Sequence, residues 1–270
     1  MNAFDVFKGT SPIVLGQPHG GTFVPDDIFS RLNQRGQGLA DTDWHITKLY
    51  DGLLIGASVV KSNVHRYVID ANRDPAGKSL YPGQNTTELC PTTDFDGLDI
   101  WHEGQAPSTD EVETRRLAYH APYHAALAEE LDRVRQIHGI AILYDCHSIR
   151  SNIGFLFKGT LSTFNIGTDN STTCNLKVEG IVHSLCRETD PSDTVLNGRF
   201  KGGWTTRHYG RPETETHAIQ MELAQRSYMS ESYPWSYDLG SAKTLQTKLK
   251  RILVGLAKHA SAKGKGRKDA

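Results

Sequence analysis

Three polar clusters in this sequence each follow or interrupt a short apolar run. Gln17-Pro-His19-Gly-Gly21 comes straight after Ile13-Val14-Leu15, Asp145-Cys-His147-Ser148 straight after Ile140-Ala-Ile-Leu-Tyr144, and Gln220-Met-Glu222-Leu223 falls within the apolar run 217–223. Ligands of open α/β sheets collect outside the carboxyl ends of strands. Two histidines and a carboxylate in such a cleft suit Zn²⁺, which accepts imidazole plus one oxygen and keeps a position for water. Asp41-Thr-Asp43-Trp44 offers the carboxylate, from either Asp41 or Asp43, although an Asp opening a helical pattern commonly serves as its cap. Gly20 and Gly21 permit a close approach to His19. Glu222 is a lone carboxylate among apolar residues, which is costly to bury unless it is paired or working.

Other signals compete with these. His120 and His124 stand at i, i+4, a spacing that puts two imidazoles on one helical face. No Glu follows the first of them and Pro122 lies between, so they read as a surface or packing pair. Ser148 lacks the Gly-x-Ser-x-Gly elbow that exposes a nucleophilic hydroxyl. Arg73 sits in Asp70-Ala-Asn72-Arg73-Asp74, Arg150 trails His147, and Arg207 lies in Thr206-Arg207-His208. A guanidinium grips a carboxylate with a fork that Lys cannot copy. Several such groups near one cleft imply a small acidic substrate, while any one of them alone reads as a surface ion pair worth ~0–1 kcal/mol.

The elements that must position these residues follow from periodicity. The runs 13–15 and 140–144 read as buried strands, 59–69 as one or two strands, and 217–223 as another. Helical spacing marks 43–56, then 108–139 with a capping start at Ser108-Thr-Asp-Glu111 and a kink or break at Pro122. It recurs over 173–188 and in Leu245, Leu249, Ile252, Leu253 and Leu256. Between Pro75 and Pro107 there is little periodicity, and so long a structureless loop usually carries function. Strands alternating with helices favour an α/β sandwich with helices on both faces. We expect one catalytic domain over 1–260, with a loop insertion near 75–107, and a disordered basic tail over 261–270.

Composition excludes other classes. The 270 residues carry 37% hydrophobic and 23% charged side chains, too many for a disordered chain, and the 4 Cys do not make a disulfide scaffold. Cys90, Cys146, Cys174 and Cys186 share no Cys-x-x-Cys spacing and read as reduced thiols. Lys+Arg 30 against Asp+Glu 31 leaves a net charge of −1, so nothing drives wholesale binding to nucleic acid or an acidic membrane. No apolar run approaches a membrane span and the first residues carry no signal pattern; a cytoplasmic protein is expected, its oligomeric state open.

Pro18-His-Gly-Gly21, Asp41-Thr-Asp-Trp44, Asp70-Ala-Asn-Arg-Asp74, Asp145-Cys-His-Ser148, Gly202-Gly-Trp-Thr-Thr-Arg-His-Tyr-Gly210 and Gln220-Met-Glu-Leu-Ala-Gln225 together resemble the N-formylglutamate amidohydrolase family, in order from near Thr10 to near Gly255. The last two stretches look specific to its histidine-degradation members. The resemblance implies hydrolysis of N-formyl-L-glutamate, a small dianion, to formate and L-glutamate, the last step of one histidine-to-glutamate route, with a metal-bound water as nucleophile. The wider superfamily is similar to zinc carboxypeptidases and aspartoacylase. It implies a phosphorylase/hydrolase-like three-layer α/β/α sandwich with a mixed, mostly parallel sheet.

Those relatives use a His-x-x-Glu pair, a later His, an Asn-Arg pair and a Glu near the end. His19, His147, Asn72-Arg73 and Glu222 match, but Thr22 stands where the first Glu is expected. The resemblance then implies one Zn²⁺, or another divalent metal, on His19, His147 and Asp43, with Asp41 the second choice of carboxylate. It implies Glu222 as general base. Arg73 with Asn72 would hold one substrate carboxylate or steady the oxyanion, and Arg150 or Arg207, with His208, would hold the other carboxylate. The alternatives are an amidohydrolase for another N-acyl amino acid and a non-catalytic homologue that binds a metal or anion.

Overall fold

The apolar runs become strands because their side chains alternate between two helix layers. The computed structural model describes residues 2–79, 83–188 and 191–266. Its strands are β1 (Phe4–Phe7), β2 (Ile13–Gln17), β3 (Ser58–Ser62), β4 (Ala141–Ile149), β5 (Phe164–Gly167), β6 (Thr194–Leu196) and β7 (Thr216–Ala224), in the sheet order β1-β3-β2-β4-β7-β5-β6. The helices are α1 (Asp26–Phe29), α2 (Gln34–Gln37), α3 (Ile46–Tyr50), α4 (Thr109–Arg115), α5 (Ala121–His138), α6 (Leu176–Arg187), α7 (Trp204–Tyr209) and α8 (Leu239–Gly266). β3, β2, β4 and β7 run parallel, β1 and β5 join them antiparallel, and β6 runs parallel to β5. The sheet is therefore mixed and mostly parallel, as expected.

Ile13, Leu15, Ile142, Tyr144, Ile219, Met221 and Leu223 pack with α3, α6 and α8. The alternate residues Val14, Ala141, Leu143 and Ala218 pack under Tyr123, Leu127, Leu131 and Val134 of α5. Each fully buried Val, Leu, Ile or Met side chain here contributes about 1.5–3 kcal/mol. Period two also sorts the polar residues: Asp145 and His147 on β4, and Gln220 and Glu222 on β7, all fall on the α5 side. Glu222 thus breaks only one face of its strand, and Met221 and Leu223 keep the other apolar. All four cysteines are buried and free.

Several boundaries differ from the sequence pattern. The helix expected over 43–56 is only α3, because His45 takes a left-handed φ of 62° just before it. The strand expected over 59–69 stops at Ser62. The chain then turns, with the Val68 N–H bonded to the His65 carbonyl at 2.9 Å. Ser108 caps α4 through the Glu111 N–H, and Gly139 ends α5 at φ 71°. Pro122 divides the long helix without a sharp break: one π turn, Arg116–His120, separates α4 from α5, and the wider turn absorbs the hydrogen bond that proline cannot make. Helix α8 runs through Gly266, so it takes in the first residues of the basic tail. Residues 267–270 of that tail lie outside the described residues. Among the described residues there is no helix or strand between β3 and α4. No helix among them is long and apolar enough to cross a membrane.

Candidate active site

His19 emerges from β2 and His147 stands on the adjacent β4. Gly21 lets the chain pass: a Cβ there would lie 2.3 Å from the Asn63 backbone, so this glycine admits a crossing segment rather than a ligand. The Asp43 N–H donates to the His19 carbonyl at 3.1 Å, which brings that carboxylate to the same point. It does not cap a helix. Its Oδ1 accepts Nη2 of Arg66 at 2.6 Å, and its Oδ2 accepts the Ser148 N–H at 3.0 Å.

The inward atoms are His19 Nδ1, His147 Nδ1 and Asp43 Oδ2, separated by 3.1 Å (His–His), 3.4 Å (His147–Asp43) and 3.8 Å (His19–Asp43). Three atoms so spaced share a point about 2 Å from each, the length of a Zn–N or Zn–O bond. Behind each ring stands a carboxylate. His19 Nε2–H donates to Asp70 Oδ1 at 2.7 Å, and His147 Nε2 lies 3.2 Å from Asp145 Oδ1. The Asp70 bond leaves His19 Nδ1 as an inward lone pair and raises its basicity, as a carboxylate behind a ligating histidine does in metal centres, while His147 Nε2 also lies 3.2 Å from Asn72 Nδ2. The donor set therefore fits a divalent cation, and this buried group could hold one.

Charge follows the same geometry. Burial opposes ionisation of Asp43 and Asp70. Arg66 and the two histidines nevertheless keep Asp43 low, and Arg73 and His19 hold Asp70 well below the usual carboxylate range. Burial pushes His19 down to about 4, with Arg66 adding to it. Burial also works against charge on His147, but Asp145 and Asp43 outweigh it and raise that ring well above an ordinary imidazole. The one proton beyond the neutral forms thus sits on His147, and a cation taking the site must displace it.

Glu222 pairs with His147 in the β4–β7 register, and Gln220 with Asp145. Burial raises the Glu222 carboxyl to about 7, against the pull of His147. Gln220 Nε2 donates to Glu222 Oε2 at 2.9 Å, while its Oε1 accepts the Gly203 N–H at 2.6 Å. Only glycine fits at 203, since a Cβ would lie 2.2 Å from Asn72 Nδ2. Asn72 in turn accepts the Thr205 N–H at 2.9 Å. These groups open on a cavity of about 870 Å³, whose lining includes His19, Asn72, Arg73, His147, Glu222 and, farther along, Arg199 and Phe200. Residues 74–78 and 83–90 supply much of its wall, which gives the long loop its place. Arg73 is aimed by Thr87, whose carbonyl and Oγ1 accept Nε and Nη2 at 2.9 Å each.

Similarity to known proteins gives the family. The profile of the family described as N-formylglutamate amidohydrolase matches residues 11–229. This chain belongs to that family. The N-formylglutamate deformylase of Pseudomonas putida is 44% identical over 92% of this chain and 93% of its own, and that of Pseudomonas aeruginosa is 40% identical over 92% and 94%. The crystal structure of an N-formylglutamate amidohydrolase from Ralstonia eutropha superposes with a TM-score of 0.79 at 24% identity, covering 96% of this chain and 99% of that one. A gene product of Agrobacterium tumefaciens gives 0.67 at 16%, covering 100% and 97%. The last two show the shared fold.

Within this family member, some expected residues lie elsewhere. Asp41 turns away from the histidines to the Tyr67 hydroxyl and the Phe95 N–H, both at 2.8 Å, and burial raises it to about 6. Arg150 reaches Asp96 at 3.1 Å and Asp41 at 3.4 Å. Arg207 pairs with Asp169 at 3.3 Å, and His208 stacks on Trp204 with centroids 4.2 Å apart. None of Arg150, Arg207 and His208 lines the cavity. The first turn of α7 faces the site, and 207 and 208 fall in its last turn. Ser148 Oγ accepts the Tyr228 hydroxyl at 2.7 Å and meets no histidine. Asp70, Asp145 and Gln220 stand in the sequence motifs with no role of their own, and Arg66 and Arg199 stand in none of them. Asp145 was readable, since two residues before His147 on a strand means the same face. No local pattern marks Arg66 or Arg199.

Proposed function

We propose that this protein hydrolyses N-formyl-L-glutamate to formate and L-glutamate with a divalent cation, zinc by its donor set, held by His19, Asp43 and His147. The observation that carries this reading is the convergence of His19 Nδ1, His147 Nδ1 and Asp43 Oδ2 on one point with Glu222 on the adjoining strand. Bound there, the cation would acidify a water and polarise the formyl oxygen. Glu222 takes the proton from the attacking water and returns it to the departing amine. Gln220 occupies its Oε2, which leaves Oε1 to carry that proton. A carboxyl raised to about 7 suits both halves of the task.

The relatives named N-formylglutamate deformylase, 44% and 40% identical over 92% of the chain, support formyl as the acyl part and glutamate as the amine. Arg73 receives one carboxylate beside Asn72, and Arg199, rather than Arg150 or Arg207, receives the other. A histidine-degrading route supplies the substrate in this reading. The test is formate or acyl release from N-formyl-, N-acetyl- and N-succinyl-L-glutamate before and after chelation, with metal content per chain. Preference for the formyl compound, loss on chelation and recovery with Zn²⁺ are expected. Turnover indifferent to chelation overturns the metal role, and preference for another acyl group overturns the substrate.

A further inference from the structure

We propose that His120 and His124 are positioning residues that clamp the Asn72–Arg73 segment, and that the π turn at Arg116–His120 aims them. The inference rests on the hydrolase reading through the role given there to Arg73. His124 Nε2–H donates to the Ala71 carbonyl at 2.7 Å, and His120 Nε2–H donates to the Arg73 carbonyl at 3.1 Å. The two rings thus hold the peptide groups that enter Asn72 and leave Arg73. Opposite them, the Asn72 N–H donates to Asp70 Oδ1 at 2.8 Å, and Asn72 Oδ1 takes the Thr205 N–H. The segment is pinned from both sides, which fixes where the Arg73 side chain starts, and Thr87 then directs its guanidinium.

The π turn reconciles two anchors on one helical run. Arg115, at the end of α4, donates to the Val68 carbonyl at 3.0 Å. An unbroken α-helix from there would place residues 120 and 124 about 100° away in rotation for each residue of mismatch. The extra residue of a π turn resets that angle, and both imidazoles then reach the loop that Arg115 already holds. The rings are fixed by their neighbours. Their centroids are 4.3 Å apart, and Trp204 meets the His124 ring edge-on at 4.7 Å. The Tyr209 hydroxyl lies 3.1 Å from His124 Nδ1. Burial lowers both imidazoles, His124 to about 3, so each is a neutral donor at working pH.

The experiment compares steady-state hydrolysis of N-formyl-L-glutamate by the full-length, metal-loaded wild type and by His124→Leu, His120→Leu and His124→Gln. Loss of the clamp raises KM about tenfold to a hundredfold, the scale of a misplaced binding group, with kcat within about threefold because carboxylate binding is shared by ground and transition states. Metal content stays at the wild-type level. His124→Gln, whose terminal amide can donate to the same carbonyl, recovers most of the KM. A merely structural role would reduce the active fraction, and with it kcat, at unchanged KM; that result, or wild-type KM in both Leu variants, overturns the clamp. If His124→Leu does not fold, His120→Leu decides, since it removes only the longer bond. No hydrolysis by the wild type overturns the hydrolase reading and the clamp with it, whereas normal wild-type turnover with unmoved KM in the variants overturns the clamp alone.

Discussion

Replacing Glu222 by Gln separates catalysis from stability, because the structure makes opposite demands on that carboxyl. The amide keeps the shape, and its oxygen still accepts the hydrogen bond from Gln220. As general base, Glu222 contributes about a hundredfold to ten-thousandfold in kcat, which is about 3–5 kcal/mol of barrier. Its burial runs the other way. The folded carboxyl titrates at about 7 against 4.5, so the folded state binds the proton more tightly than the unfolded chain. Stability from this group is fully present below 4.5 and is lost as pH rises through about 7. Above that pH the ionised, buried carboxylate costs the metal-free fold about 3 kcal/mol. Glu222→Gln should therefore lose turnover a hundredfold or more, keep its metal, and make the metal-free protein more stable at pH 8 by up to that amount. The gain should shrink toward zero near pH 4.5. Urea unfolding at both pH values and formate release on the loaded enzyme measure the two effects. Turnover within tenfold of wild type refutes the base assignment, and equal stability at pH 8 refutes the burial argument.

Asp70→Asn should weaken metal binding about tenfold to a hundredfold, read by competition with a chelator, because His19 loses the carboxylate that fixes its tautomer. The same variant should flatten the acid limb of stability: Asp70 is held well below 3.8, so its contribution is present above that value and lost as pH falls through the lower folded one. Arg199→Met should raise KM for N-formyl-L-glutamate about tenfold or more, the scale of a charged hydrogen bond, while Arg150→Met should leave KM within about threefold. The reverse pattern in initial-rate measurements would return the second carboxylate to Arg150.

The principal strands and the polar clusters at their ends were legible for one reason. A strand buried on both faces must be apolar in both registers, so Ile140 to Tyr144 and the run through Glu222 announce themselves, and a charged group inside them needs an explanation. The short strands β1, β5 and β6 were not legible, because three or four residues carry too little periodicity. Asp43 and Asp41, two residues apart, could not be separated by type or spacing. The structure parts them through partners from elsewhere: Arg66 and the Ser148 N–H hold Asp43 toward the histidines, while Tyr67, Phe95 and Arg150 hold Asp41 away. The three arginines first considered for substrate were equivalent in sequence, and only Arg73 faces the cavity.

The chain by itself determines which groups are able to do the chemistry: imidazoles at strand ends, a carboxylate on one face of β7, and an arginine after a turn. Those properties are local, set by residue type and by the two-residue repeat of a strand. Which carboxylate completes the cluster, which acids stand behind His19 and His147, which arginine meets the substrate and what His120 and His124 hold are decided by contacts between segments tens of residues apart. Such contacts exist only once the parallel sheet has brought β2, β4 and β7 side by side, because hydrogen bonds and ion pairs act over a few ångströms and carry no trace along the intervening chain.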